Sequence, residues 1–197
     1  MTDPGTLAAA LAVGVLGGIH CLGMCGGIVG AISLGHTGAP GSAWPRLLAY
    51  NLGRMGSYVV AGALAGLLGM ALLGALPQGQ RLLEILAAVF LVLLGLYLGG
   101  WWPVLAQLER MGGWFWKRIE PLGRHFIPVR HSGQALVVGA VWGWLPCGLV
   151  YSVLVWAMSA GGPAEGALLM AAFALGTLPN LLLMGLFATR LARFVRN

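Results

Sequence analysis

Charge is what this sequence has least of. Asp, Glu, Lys and Arg make up 8% of its 197 residues, against about a quarter in soluble domains. Only five residues are acidic, and they fall in loops or at segment ends, so a carboxylate proton relay at membrane depth is not supported. Cysteine is scarce as well. Three cysteines are too few for a disulfide framework, and all lie within apolar stretches, which argues against extracellular stapling. No Walker-type loop, dinucleotide fingerprint or HExxH occurs. The first residues carry no Lys or Arg, and the apolar segment after them is too long for a cleavable signal peptide, so none is expected.

What is present is hydrophobic. At 59% apolar residues the chain reads as an integral membrane protein, an all-α helical bundle. Five windows have the ~20 residues needed to span a bilayer: 7–34, 47–73, 82–102, 135–160 and 166–187. Basic residues are distributed unevenly around them. Arg46 and Arg54 stand at the start of the second window. Arg110, Lys117, Arg118, Arg124 and Arg130 lie between the third and fourth, and Arg190, Arg193 and Arg196 follow the fifth. The other side has only Arg81, with Asp3, Glu84 and Glu165. The positive-inside rule then puts the N-terminus outside and the C-terminus in the cytoplasm. Arg54 is expected to snorkel to the cytoplasmic surface. Basic loops beside a membrane bind lipid headgroups, and no nucleic-acid partner is expected.

Two windows share a small device. One contains His20-Cys21-Leu22-Gly23-Met24-Cys25-Gly26-Gly27, the other Trp142-Gly143-Trp144-Leu145-Pro146-Cys147-Gly148-Leu149. Each sets a Cys-Gly pair among residues that weaken a helix: Gly23, Gly26 and Gly27 in the first, Pro146 and Gly148 in the second. When Cys25 is aligned with Cys147, Gly26 falls on Gly148. With a shift of one further, Leu52-Gly53 falls on Leu175-Gly176 and Gly62 on Gly185. The windows therefore read as two inverted repeats. The expected division is 1–103, a first repeat of three spans; 104–134, an amphipathic cytoplasmic connector with Trp114 and Trp116; and 135–197, a second repeat of two spans whose sixth helix is missing. A neighbouring copy in a homo-oligomer would then complete the site. Gly62-x-x-x-Gly66 suits close helix contact, and Asn51 and Asn180 suit interhelical bonding.

Two chemistries follow from the motifs. Cys25 and Cys147, matched on facing repeats, would form a disulfide if their Cα atoms came within about 5.5 Å. Exchange with outside dithiols would then move two electrons, and a half-helix N-terminus aimed at sulfur favours the thiolate. Alternatively, Cys21 and Cys25 share a helical face, with His20 and Met24 on the adjoining flank. That donor set suits Cu(I), with Zn(II) or Ni(II) as further candidates, and Cys147 as an added ligand.

The two motifs, with Val150-Tyr151 and Gly123-Arg124-His125-Phe126-Ile127-Pro128, resemble the UreH-like transmembrane proteins, also labelled sulfite exporter TauE/SafE-like. That group is related to the DsbD/CcdA cytochrome c biogenesis transmembrane proteins. The resemblance implies that Cys25 and Cys147 pass electrons from cytoplasmic thioredoxin to an extracytoplasmic thiol protein in a bacterial inner membrane. In that case the chain acts as a thiol–disulfide oxidoreductase. The relatives place Pro three residues after each cysteine, where this chain has Ile28 and Val150. Several UreH-like members are associated with nickel or copper handling, which implies a heavy-metal transporter or metal-delivery protein as the second reading.

Overall fold

A computed structural model describes residues 3–17, 43–75, 131–145 and 147–196, with isolated positions at 30, 81, 85, 88, 89, 92, 93, 96, 113, 118 and 129. The continuous segments form five helices: α1 (Pro4–Leu16), α2 (Ala43–Ala75), α3 (Ser132–Trp142), α4 (Gly148–Met158) and α5 (Pro163–Arg196). No strand occurs among the described residues.

Local chemistry sets where the helices start. Asp3 caps α1 by accepting the Thr6 N–H at 3.0 Å, and Pro4 follows in the first turn, where its missing N–H costs nothing. α5 starts at Pro163 with Glu165 in its first turn. The chain reverses just before it through Gly161 at φ 103, a left-handed conformation that glycine adopts without steric cost.

α2 and α5 are 33 and 34 residues long, about 50 Å each at 1.5 Å per residue. Their apolar stretches, Trp44–Leu72 and Pro163–Ala188, are both long enough to cross a bilayer. The two helices run antiparallel. Leu47 lies against Gly185, Arg54 against Thr177, Gly62 against Met170, and Gly66 against Gly162. Gly62 and Gly66 thus provide the close approach that their spacing predicts.

α1 runs parallel to α5, with Gly14 packed on Gly176 and Val15 opposite Asn180. α3 and α4 run parallel to α2. Gly53 meets Leu136 and Ala140, Ser57 meets Gly143, and Gly69 meets Met158. The chain therefore leaves α2 at one end of the bundle and enters α3 at the other. That is the connectivity the third expected span would supply. Of that span Ile85, Ala88, Val89, Val92, Leu93 and Leu96 are described, and all are helical, as is Arg81 just before it.

The fourth window, 135–160, holds two short helices of 11 residues each, as its helix-weakening Pro146 and Gly148 predict. The break falls at the Trp142–Cys147 motif.

Two apolar clusters fill the bundle. One joins Leu47, Tyr50, Val138, Trp142 and Leu181. The other joins Ala10, Tyr58, Val150, Leu169, Met170 and Phe173.

Candidate functional site

α3 ends at its C-cap Gly143, whose N–H returns to Gly139 O at 2.9 Å. The next two N–H groups bond three residues back instead of four. Trp144 donates to Val141 O and Leu145 to Trp142 O, each at 3.1 Å. That tightening closes the last turn. A proline comes next in sequence, and Pro both removes a donor and pushes the residue before it out of the helical region. Pro146 itself lies outside the described residues.

Cys147 stands where the chain restarts. It is the N-cap of α4, extended at φ −115 and ψ 138, and its N–H donates to Leu145 O at 2.8 Å. Its carbonyl takes the first helical bonds, from Val150 N and Tyr151 N at 3.1 Å. The side chain makes no capping bond to the helix. Ser, Thr, Asp and Asn are the usual residues here, because their oxygens satisfy the free N–H groups of the first turn. A cysteine at this position sets sulfur beside those N–H groups and the positive end of the helix dipole. Cys147 is half-buried and packs on the cluster that holds Tyr58, Val150 and Phe173. Gly148, the first residue of α4, is buried.

The helix that precedes the first motif ends beside the second. α1 ends at its C-cap Gly17, which abuts the Leu149 side chain, two residues past Cys147. His20, Cys21, Gly23, Met24, Cys25, Gly26 and Gly27 lie outside the described residues. The proposed ligand set and one partner of the proposed disulfide therefore lie there too. Among the described residues, no group of three His, Cys, Asp or Glu side chains is positioned to hold a metal ion.

A polar seam runs beside the break. Arg54 is 1% exposed. One guanidinium N–H donates to Thr177 Oγ1 at 2.5 Å, and the guanidinium lies 5.3 Å from the Tyr58 ring centre. This corrects the expectation that Arg54 snorkels to the surface. The residue lies mid-helix against α5, and its charge stays inside the bundle. Thr177 Oγ1 also donates to Ala174 O at 2.8 Å. Tyr58 packs against Phe173 with ring centres 5.9 Å apart. Asn51 donates to Leu47 O on its own helix at 2.8 Å, not across an interface as its sequence reading suggests. Asn180 does bond across an interface, donating to Val15 O at 2.8 Å.

Sequence reasoning missed Thr177, Tyr58 and Ser57. For Thr177 and Ser57 the signal that could have found them is the repeat register: Arg54 and Thr177 are 123 positions apart, the separation that relates Gly53 to Gly176 and Ser57 to Asn180.

The family described as cytochrome C biogenesis protein transmembrane region has a model that matches residues 9–197. The match supports the relationship to the DsbD/CcdA proteins; nothing in it supports the UreH-like or sulfite-exporter labels or a metal-handling role. No curated protein and no solved structure matches the chain.

Proposed function

From the premise that the chain belongs to the cytochrome c biogenesis transmembrane-region family, we propose that it carries reducing equivalents across a membrane by thiol–disulfide exchange between Cys25 and Cys147. The observation that carries this reading is Cys147 at the N-cap of a half-helix, inside an apolar span broken at that residue. Exchange needs an anionic sulfur and room for a second sulfur to approach in line. The helix N-terminus supports the first need, and the half-burial of Cys147 at the break, outside either helix, supports the second. α1, which precedes the other motif in the sequence, ends against Leu149, two residues past Cys147, and this supports the pairing.

The electrons balance as follows. A dithiol donor on the cytoplasmic side, of the thioredoxin class, gives two electrons and two protons and becomes a disulfide. The Cys25–Cys147 disulfide becomes two thiols. These reduce an extracytoplasmic disulfide, and the intramembrane bond re-forms. The N-terminus lies outside, the 104–134 connector is cytoplasmic, and the membrane is a bacterial inner membrane.

The test places reduced thioredoxin on one side of proteoliposomes and a membrane-impermeant disulfide on the other. Cys147→Ser should reduce thiol release to the level of empty vesicles. Transfer retained in Cys147→Ser overturns the reading. The metal reading rests on His20, Cys21, Met24 and Cys25 and makes a different demand: wild-type protein purified under reducing conditions must hold copper, nickel or zinc.

A further inference from the structure

The crossing of α2 and α5 is built twice. A Cβ on Gly62 would stand 2.6 Å from Met170 Cγ, and one on Gly185 would stand 2.6 Å from Leu47 Cδ1. Gly62 and Gly185 are separated by the same 123 positions as Arg54 and Thr177, and so are Leu47 and Met170. Replacing each residue by its mate converts one contact into the other, which marks a two-fold relation between antiparallel helices. Arg54 and Thr177 are each other's mates and bond to one another, so they stand at the axis.

Ser57 and Asn180 are mates in the same register. Ser57 Oγ donates to Ala140 O at 2.7 Å. Asn180 Nδ2 donates to Val15 O at 2.8 Å. Both acceptors lie in the last turn of a short helix: Ala140 just before the α3 cap Gly143, and Val15 just before the α1 cap Gly17. The last carbonyls of a helix have no donor within it, and hydrocarbon supplies no water to replace one. The case is explicit at Ala140, because the N–H of Trp144, four residues on, goes to Val141 O instead. Each long helix thus sends one polar side chain to a carbonyl in the last turn of one short helix. In the sequence each short helix precedes one cysteine motif, α3 that of Cys147 and α1 that of Cys25.

We infer that Ser57 and Asn180 are a matched pair of positioning residues, each pinning to the long helix beside it the C-terminal end of the short helix that precedes one cysteine motif in the sequence. Loss of one bond frees the end of its own short helix and leaves the other end held. The inference rests on the thiol-exchange reading, since two sulfurs that must meet need matched restraint.

The test uses the full chain in detergent, reduced, in a Cys21→Ser background. N-ethylmaleimide alkylation of Cys25 and Cys147 is followed separately by peptide mass spectrometry. One interhelical hydrogen bond in a membrane protein corresponds to about a three- to tenfold change in an opening equilibrium. Ser57→Ala should therefore speed alkylation of Cys147 by about that factor and leave Cys25 unchanged. Asn180→Ala should do the reverse, and Ser57→Thr, which keeps the hydroxyl, should restore the slow rate. Equal acceleration of both cysteines, or of neither, overturns the inference. If Ser57→Ala does not fold, the partly exposed Asn180 decides alone. Alkylation needs no electron transfer, so failure of the conduit in vesicles and failure of the restraint are separate results.

Discussion

At the scale of the residue, a buried guanidinium matters most. Arg54 has a neutral hydroxyl and an aromatic face among its neighbours. A cation at bilayer depth costs on the order of 3 kcal/mol even by the mildest scale. Its hydrogen bonds are therefore worth more than surface ones. Thr177→Val removes the acceptor and keeps the shape. It should cost about 1–3 kcal/mol, read as a lower unfolding midpoint in detergent, while Thr177→Ser should stay close to wild type. Cys21 separates the two chemistries. Cys21→Ser should leave disulfide transfer nearly intact, because the Cys25–Cys147 couple needs no third thiol. If the protein is a metal carrier, the same change should remove most bound metal, since Met and His alone make a poorer soft-metal site.

At the scale of the element, glycine marks where helices touch. Gly62 faces the Gly166 carbonyl at 2.5 Å and Met170 at 2.6 Å from a built Cβ, whereas Gly56 on the same helix has nothing within 4 Å. Gly62→Ala should push α2 from α5 and destabilise the protein by about 1–3 kcal/mol. Gly56→Ala should stabilise it by up to about 1 kcal/mol through helix propensity alone. Thermal unfolding of the two variants in one detergent checks the contrast; equal shifts would mean that the α2–α5 contact is not as tight as described. Pro179 lies inside α5, two residues past Thr177. It withdraws one backbone donor beside the seam.

At the scale of the whole molecule, the directions of the helices constrain topology. α1 parallel to α5, α2 parallel to α3–α4, and α2 antiparallel to α5 agree with five alternating crossings. With the basic side inward, a cysteine placed at Ser132 should be labelled only from the cytoplasm, and one placed at Thr2 only from outside. The background for both is a chain without native cysteines. Labelling of position 132 in intact cells by an impermeant maleimide would reverse the orientation. The two-fold relation adds a second whole-molecule expectation. Mild oxidation should link Cys25 to Cys147 within one chain, seen as a disulfide-bonded peptide pair. Its absence under every oxidising condition would remove the conduit.

The sequence by itself determined the class and the frame. Scarce charge and long apolar windows are enough for a membrane helix bundle, because one-dimensional hydropathy is what the bilayer reads. The Cys-Gly motif at 147 was legible as a break, since Pro146 and Gly148 are local helix breakers. The alignment of Gly53 on Gly176 and Gly62 on Gly185 already contained the register of the α2–α5 crossing. Only the tertiary structure decided what that register does. A lone Arg at the start of an apolar window has the same local signal whether it snorkels or turns inward. What turns Arg54 inward is Thr177 and Tyr58, the first of them more than a hundred residues away. Ser57 and Asn180 carry no local mark either. Their roles arise from two carbonyls on other helices, and such pairings exist only once the helices are packed.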